Sequence, residues 1–292
     1  MIYLAESGST KTDAVILNPD GSEVCRVNTI GFNPYFHTSE SIGKEMAKVD
    51  TIQKYGKSIT QVYFYGSGCS SDKLCAVVSK GLAMVFPNAK ILVDHDLKAC
   101  AYSTYTGQPA ISCILGTGSN SVYFDGKDIE TLDSGLGFIL GDEGSASHIG
   151  KKLITSYFYR TMPAKLRVKF AEKYNLDKDY VVKKVYQNDH ANVYLAGFAP
   201  FANTHIDNPF CWEAVFSSFR DFVEFHVLGF PQAREVPIHF VGSVGYHFKD
   251  ILKDVLLYFD LEAGNIIQKP LEGLIKYHRE HVLPSVKTLK SS

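Results

Sequence analysis

One pattern occurs twice in this chain: an apolar strand, a turn of Gly, Ser and Thr, a second strand, a tight turn and a third strand. The first copy opens the chain with its turn at 6–12, and the second begins at residue 110 with its turn at 115–120. Internal duplication is the simplest explanation of such a repeat. We therefore predict an α/β fold of two similar halves, each a mixed β-sheet flanked by helices, around a central cleft.

Residue spacing predicts the elements of each half. Short apolar runs bounded by turn residues predict strands at 1–5, 13–17, 23–27, 61–65, 91–93, 110–115, 122–124, 127–131 and 237–241. Helical spacing predicts helices at 39–55, after Ser71, at 97–105, after 243 and at 271–281, in a chain that is mainly helical from 144 onward. A Gly-Gln-Pro break then separates a first domain, 1–108, from a second, 109–270, and we expect the C-terminal helix, 271–292, to join the first.

Composition excludes several classes of function. The net charge of −1 comes without a basic cluster, so no nucleic-acid partner is expected. No run approaches the ~20 apolar residues that a membrane-spanning helix needs, and no basic, apolar leader opens the chain. Six scattered cysteines without a C-x2-C pair predict reduced thiols and no zinc site. We expect a cytoplasmic protein without a membrane or nucleic-acid partner.

The first turn, 6–12, has the residues of an anion site. Gly8, Ser9 and Thr10 let the backbone approach a ligand and offer consecutive N–H groups to phosphate oxygens, and Lys11 adds a positive charge. It is not a P-loop, because its lysine and glycines are differently spaced and no helix follows. Taken alone, the segment can equally be an ordinary hairpin turn.

The second turn, 115–120, lies at the equivalent position of the second half. Gly116, Thr117 and Gly118 offer the same combination of small residues and a hydroxyl group. Two such turns that face each other across a cleft can hold a triphosphate from both sides. The pair is therefore far more specific than either turn alone.

Two acidic segments accompany these turns. The loop at 135–145 contains four glycines and two adjacent acids and leads into a helix. It can bind a polar ligand, or Asp142, Glu143 and Ser145 can cap that helix and complement its dipole. Asp96 follows a predicted strand and precedes a predicted helix. It can act as a general base beside a cleft, or it can cap the helix.

A further glycine-containing turn, 241–245, joins a strand to a helix, where it can face a ribose and base or ease packing. Together with the first and second turns it resembles, in order and spacing, the adenosine motif and two phosphate motifs of the sugar-kinase, actin and heat-shock-protein ATPase superfamily. That resemblance implies ribonuclease-H-like domains. The string Gly-Asp-Glu-Gly-Ser at 141–145 resembles the N-acetylglucosamine kinase branch, which is grouped with the BadF/BadG-type ATPases. The resemblance spans nearly the whole chain.

The resemblance also implies roles for single residues. Asp96 would activate the sugar hydroxyl, and Glu6, where the family usually has Asp, would hold Mg²⁺ through water. The sugar would be contacted by Asn33, Asp96, Asp142 and Ser145. ATP would be bound by Gly8, Ser9, Thr10, Lys11, Gly116, Thr117, Gly118, Gly242 and Ser243. Leu136 stands where animal members have a Trp near the sugar, which leaves the exact sugar open.

These features predict an ATP- and magnesium-dependent kinase for a small-molecule amino sugar. The resemblance implies N-acetylglucosamine and its 6-hydroxyl as acceptor. Another hexose or N-acetylmuramic acid stays open as the acceptor, and a homodimer stays open as the assembly. Outside the sugar kinases, the alternatives are a sugar sensor, which would not need Asp96, and a BadF-type activator ATPase. The activator would hold a [4Fe–4S] cluster between subunits through cysteines such as Cys69 and Cys75 or Cys100 and Cys113.

Overall fold

The computed structural model of the chain describes residues 1–132 and 134–284. The backbone divides into two compact units, Met1–Thr106 with the chain from Pro270 onward, and Gly107–Lys269. The domain boundaries predicted at 108 and 270 stay a prediction, and residues 285–292 of the predicted C-terminal helix lie outside the described residues.

Two five-stranded sheets form the framework of the two units. The first contains β1 (Ile2–Ser7), β2 (Lys11–Leu17), β3 (Glu23–Ile30), β4 (Gln61–Gly66) and β5 (Lys90–His95). The second contains β6 (Ala110–Leu115), β7 (Ser119–Phe124), β8 (Ile129–Glu130), β9 (Ile238–Val241) and β10 (Ala263–Ile267).

The helices of the first unit follow β3, β4 and β5. They are α1 (Ser39–Ala47), α2 (Asp50–Tyr55), α3 (Asp72–Ala83), α4 (Asp96–Thr104) and, from the C-terminal segment, α14 (Leu271–Tyr277). Most helices of the second unit lie between β8 and β9, and the last two follow β9. They are α5 (Gly137–Leu140), α6 (Ala146–Phe158), α7 (Ala164–Lys173), α8 (Lys178–Tyr186), α9 (Ala191–Ala196), α10 (Ala199–Thr204), α11 (Pro209–Phe222), α12 (Ser243–His247) and α13 (Lys249–Tyr258).

The two sheets have the same strand order. The first is ordered β3-β2-β1-β4-β5, and the second, taken from its opposite edge, is ordered β8-β7-β6-β9-β10. In both, an antiparallel meander of three strands is extended by two parallel strands. The predicted α/β fold with a duplicated mixed sheet is therefore confirmed.

The first sheet is buried on both faces, which explains why β1 is apolar from Ile2 to Ala5. Tyr3 and Ala5 pack into a core that includes α1 and α3, whereas Ile2 and Leu4 pack into a second core that includes α4 and α14. This alternation follows from the period of two in a strand. Each fully buried side chain of this size contributes about 1.5–3 kcal/mol.

One predicted helix of the first unit is two helices. The segment 39–55 was expected to be continuous, but α1 ends at Ala47 and α2 begins at Asp50. Val49 between them is extended, with φ −87° and ψ 114°. A β-branched residue followed by Asp, which favours a helix start, gives a local reason for the break.

A strand was missed in the second unit. We expected one strand after residue 144, yet β10 also pairs in parallel with β9 and forms the sheet edge. Its sequence, AGNII, has a short apolar run next to Gly and Asn, and its pairing has an irregular register. Such a strand depends on its neighbour more than on its own propensity. Within residues 1–132 and 134–284, no helix combines the length and apolarity needed to cross a bilayer.

Candidate active site

The first turn joins β1 to β2 and is held from two sides. Gly8 N donates to Lys11 O at 2.9 Å, which closes the turn. Beneath it, the fully buried hydroxyls of Ser7 and Thr12 lie 2.8 Å apart. From above, Gly31 packs so closely that a Cβ there would overlap the Gly8 carbonyl oxygen. The turn backbone is therefore fixed by its own neighbours, as a preorganised anion site requires.

The predicted phosphate ligands of the first turn are accessible to solvent. Gly8 and Ser9 are partly exposed, and Thr10 and Lys11 are exposed. Lys11 Nζ pairs with Asp13 at 2.6 Å, so its charge is partly offset. A bound polyphosphate would compete with Asp13 for this lysine.

Carboxylates surround the base of the first turn. Glu6 lies opposite Asp13 in the antiparallel pairing of β1 and β2. Burial, together with the negative charges of Asp96 and Asp13, raises the pKa of Glu6 to about 8, although Lys11 opposes the shift. Glu6 thus occupies a position with an excess of negative charge, which favours a bound cation.

Glu6 fits the predicted magnesium ion in its donor chemistry. Mg²⁺ prefers oxygen ligands, keeps several waters and is usually bound by one or two carboxylates together with substrate phosphates. A divalent ion beside Glu6 would relieve its repulsion with Asp13 and Asp96. Among the described residues, no group of three or more His, Cys, Asp and Glu side chains could hold a metal ion. An ion held by Glu6 would therefore take its remaining ligands from water or from a bound phosphate.

Asp96 lies at the junction of β5 and α4, and it is not the helix cap. The N-cap is His95, whose Nδ1 accepts a hydrogen bond from Leu97 N at 3.1 Å. The same nitrogen lies 2.8 Å from Asp96 Oδ1. Nδ1 accepts from Leu97 N when it carries no proton and donates to Asp96 when it carries one, so only one of the two hydrogen bonds exists at a time. The cap interpretation of Asp96 is wrong, and its carboxylate is left for another role.

His95 was not singled out from the sequence, although it lies within the Asp-His-Asp string. Burial lowers the pKa of His95, but the neighbouring carboxylates of Asp96 and Asp94 outweigh burial and raise it. Asp94 itself pairs with Lys98 Nζ at 2.6 Å. Of the two aspartates, Asp94 is therefore engaged by a lysine and Asp96 by a titratable imidazole.

Asn33, a predicted sugar ligand, is held beside the first turn. Its Oδ1 accepts from Tyr35 N at 2.9 Å, and its Nδ2 donates to Ser67 Oγ at 3.3 Å. Ser67 Oγ also lies 3.2 Å from Ser9 Oγ and so connects Asn33 to the turn. Gly68, with φ +79°, makes room, because a Cβ there would lie 2.5 Å from Asn33 Oδ1. The contacts of Ser67 link residues far apart in the chain and were not predicted.

The second turn joins β6 to β7 and is held by the start of α6. The N–H groups of Ala146 and Ser147 donate to the carbonyl oxygens of Gly116 and Thr117 at 2.9 and 3.2 Å. These two carbonyl oxygens are thus occupied by the helix and present no unpaired acceptor to an anion. Helix N–H groups, which often bind an anion directly, here position the turn instead.

Asp142, another predicted sugar ligand, lies directly against the second turn. Its backbone has φ +58°, in the left-handed region that Asp tolerates better than most residues. Its Oδ1 accepts from Ser119 N at 3.3 Å, and a Cβ on Gly118 would lie 3.0 Å from both carboxylate oxygens. Burial raises the pKa of Asp142. The structure therefore brings Asp142 and the second turn together within one unit.

The rest of the 141–145 segment is anchored by hydrogen bonds. Ser145 Oγ is fully buried, accepts from His148 N at 3.1 Å and caps α6, so the cap interpretation is confirmed. A sugar contact by Ser145 stays a prediction. Glu143 Oε2 lies 2.9 Å from Nε2 of His226, a buried histidine that sequence analysis did not identify.

Gly242 and Ser243 lie where β9 passes into α12. Gly242 has φ +122°, and a Cβ on it would overlap the Leu115 carbonyl oxygen. Gly242 is thus packed closely against the end of β6, where a side chain would not fit. Gly242 is partly exposed and Ser243 exposed, and their contact with adenosine stays a prediction.

The cysteines do not resemble cluster ligands. Cys69, Cys100 and Cys113 are buried, and Cys75 is partly buried with its Sγ 3.5 Å from the Cys69 carbonyl oxygen. Burial raises the pKa of Cys69, Cys75 and Cys113. Metal and cluster ligands are thiolates, which these environments disfavour.

Comparison with solved structures identifies relatives over nearly the full chain. The putative N-acetylglucosamine kinase of Porphyromonas gingivalis is 37% identical and superposes with a TM-score of 0.90, covering 96% of this chain and 99% of its own. The putative N-acetylglucosamine kinase of Chromobacterium violaceum is 17% identical, with a TM-score of 0.70 and coverage of 94% and 98%. A ROK-family glucokinase from Streptomyces griseus, in complex with glucose and AMPPNP, is 14% identical, with a TM-score of 0.55 and coverage of 94% and 97%.

The last two likenesses concern the fold alone. The likeness to the Porphyromonas gingivalis protein, at 37% identity over nearly the full length of both chains, shows that the two belong to one family. No protein-family profile matches the chain. No curated protein sequence matches it either.

Proposed function

We propose that this protein transfers the γ-phosphate of ATP to the 6-hydroxyl of N-acetylglucosamine. The chain belongs to the family of the Porphyromonas gingivalis putative N-acetylglucosamine kinase and is a sugar kinase. One observation carries the proposal of phosphoryl transfer. In the first unit, a braced turn of small residues adjoins the carboxylates of Glu6 and Asp96, whose charges interact. Phosphoryl transfer needs a phosphate-binding turn, a carboxylate that can bind a metal ion and a second carboxylate that can act as general base.

In this mechanism Asp96 is the general base. It accepts the proton of the sugar hydroxyl while the hydroxyl oxygen attacks the γ-phosphorus and ADP leaves. His95 contacts Oδ1 of Asp96, which orients the carboxylate and leaves the other oxygen for the acceptor. Asn33 and Asp142 would position the sugar, and Gly242 and Ser243 would lie near the adenosine.

The two turns would bind the phosphates. Gly8, Ser9, Thr10 and Lys11 would do so from the first unit, and Gly116, Thr117 and Gly118 from the second. Glu6 would hold hydrated Mg²⁺, which supplies charge neutralisation on the phosphate oxygens when it is bound. Positioning of this kind, rather than covalent chemistry, supplies most of the catalysis in phosphoryl transfer.

The acceptor can be identified with a panel of sugars. Purified protein with ATP and Mg²⁺ would be given N-acetylglucosamine, glucosamine, N-acetylmuramic acid and glucose in turn, and ADP release would be followed. We expect the highest kcat/KM with N-acetylglucosamine and a 6-phosphate product by ³¹P NMR. A higher kcat/KM with another sugar would reassign the acceptor, and a panel without any sugar-dependent ADP release would overturn the proposal.

A further inference from the structure

A fully buried histidine lies behind the loop that carries Asp142. His226 belongs to a π-helical turn, Val223–Val227, that directly follows α11, and its side chain is 2% exposed. Turns of this type are rare and are frequently found at functional sites. No motif in the sequence marks this residue, and no step of the mechanism above uses it.

Both ring nitrogens of His226 contact the loop that spans 134–145. Nε2 lies 2.9 Å from Glu143 Oε2, and Nδ1 lies 3.0 Å from Ser134 Oγ. A carboxylate can only accept, so Nε2 carries a proton and donates to Glu143. The backbone of His226 is fixed as well, because its carbonyl oxygen accepts from Ser121 Oγ at 2.5 Å. The imidazole therefore holds Glu143 from a rigid position.

Glu143 is also tied to the second turn. Its backbone carbonyl oxygen accepts from Ser119 Oγ at 2.6 Å, and the N–H group of the same Ser119 donates to Asp142 Oδ1. The Glu143 side chain is 18% exposed, whereas that of His226 is 2% exposed, so Glu143 is the member of the pair that solvent reaches. Burial raises the pKa of Glu143, but the hydrogen bond from His226, together with a backbone hydrogen bond and the nearby histidines, outweighs burial and holds the pKa below its usual range.

We propose that Glu143 is a second sugar-contacting carboxylate beside Asp142 and that His226 is the positioning residue that holds it. A carboxylate has about four acceptor positions, and His226 occupies one of them. The remaining ones can accept hydroxyl groups of a hexose, which are good donors to a charged acceptor. Adjacent carboxylates repel each other, and the donated proton of His226 offsets that repulsion. This inference rests on the proposed sugar-kinase function.

The test compares variants with the sugar that the wild type phosphorylates best. Removing a hydrogen bond to a charged group typically costs 10- to 100-fold in affinity. For His226→Phe, which keeps a ring but removes the donor, we expect the KM for the sugar to rise about 10- to 100-fold. The KM for ATP should change less than about threefold, because the phosphate turns are unaltered. His226→Gln, whose amide can still donate, should recover part of the loss.

A double-mutant cycle separates positioning from mere packing. In a Glu143→Ala background, His226→Phe should raise the sugar KM no further, since His226 acts through Glu143. His239→Gln is a matched control in the same unit. His239 is equally buried but bonds Asn265 N at 2.8 Å instead of a loop carboxylate, so its substitution should leave the sugar KM unchanged.

The outcomes are distinguishable. Additive effects of the two substitutions, or an unchanged sugar KM in folded His226→Phe and His226→Gln, would overturn the inference while the sugar-kinase function stands. A wild type that phosphorylates no sugar would remove both the proposed function and this inference. Folding of each variant is checked by circular dichroism before the kinetics.

Discussion

The first and second turns occupy the same place in the two sheets, between the central strand and its antiparallel neighbour, but different groups brace them. The first turn is supported by a glycine, Gly31, and borders the acidic residues Glu6, Asp13 and Asp96. The second turn is supported by the N-terminal amides of α6 and by the Asp142 carboxylate. A duplicated scaffold thus carries a turn bordered by carboxylates in one copy and a turn held by a helix start and an aspartate in the other.

The chain between equivalent strands explains how the copies diverged. In the first unit, residues 31–60 separate β3 from β4 and contain α1 and α2. In the second unit, residues 131–237 separate β8 from β9 and contain α5–α11. Both sheets keep the same strand order, but the segment between the third and fourth strand of each sheet differs in length. Connecting segments tolerate added residues better than paired strands do.

The largest effect that sharpens this contrast is expected for Asp96→Asn in the first unit. The substitution keeps the shape but removes the proton acceptor, so kcat should fall roughly 10²-fold or more, while nucleotide affinity changes little. Sugar-dependent ADP release and calorimetry with a non-hydrolysable nucleotide measure the two quantities. Asp94→Asn, which removes an aspartate already paired with Lys98, is the control and should keep most of the turnover. Equal losses in both variants would argue against a catalytic Asp96.

The support of the first turn can be broken at Gly31. A methyl group there overlaps the turn backbone, so Gly31→Ala should shift the turn, weaken nucleotide binding at least about tenfold and cost about 1–3 kcal/mol of stability. Gly8→Ala lies in the same turn, but its Cβ meets only Lys11 O at 3.8 Å. It should therefore leave the melting temperature nearly unchanged. If Gly31→Ala retains wild-type stability and nucleotide affinity, the close packing of Gly31 is not what fixes the backbone of the first turn.

The second turn should respond differently, because Asp142 lies against it. A side chain at residue 118 would displace the Asp142 carboxylate, so Gly118→Val should weaken sugar binding several-fold as well as nucleotide binding. Gly8→Ala, in the first turn, displaces no sugar ligand and should leave sugar affinity close to that of the wild type. Titration of each folded variant with sugar in the absence of nucleotide makes the comparison. Unchanged sugar affinity in Gly118→Val would separate Asp142 from the sugar site.

The smallest expected effect concerns acid stability in the first unit and leaves turnover unaffected. Burial lowers the pKa of His278 from 6.5 to about 3. In the unfolded chain this histidine takes up a proton below pH 6.5 while the folded protein does not, so stability falls as the pH falls from 6.5. By pH 5 the loss should be about 1–2 kcal/mol.

The matched variants are His278→Gln and His281→Gln. The amide of Gln can still bond Tyr65 Oη, which lies 3.0 Å from His278 Nε2, and it does not titrate. Urea unfolding at pH 5 and pH 7 should show a smaller difference between the two pH values in His278→Gln. His281, whose side chain is exposed, should show the wild-type difference after substitution. Identical pH dependence in all three proteins would contradict the burial of a neutral His278.

Much of the framework was predictable because it depends on local patterns. The recurrence of a Gly/Ser/Thr turn between short apolar strands predicted both sheets. A helix was also predicted after Ser71, whose Oγ accepts from Leu74 N at 3.4 Å and caps α3. The split between α1 and α2 and the edge strand β10 were missed. In those two segments the local sequence preference is weak, and packing against neighbouring elements decides the secondary structure.

The sequence by itself determined the duplication and the turns, because turn residues and apolar spacing act over a few positions, and its resemblance to a known family implied the candidate ligands. Only the tertiary structure decided which side chains meet. Ser67 joins Ser9 to Asn33, and His226 meets Glu143, a residue 83 positions away in the chain. Contacts of this kind arise when distant segments pack on a common sheet, and a single sequence has no periodicity that records them. The cap of α4 is His95 and not Asp96, a choice between two adjacent residues that the sequence pattern alone does not resolve.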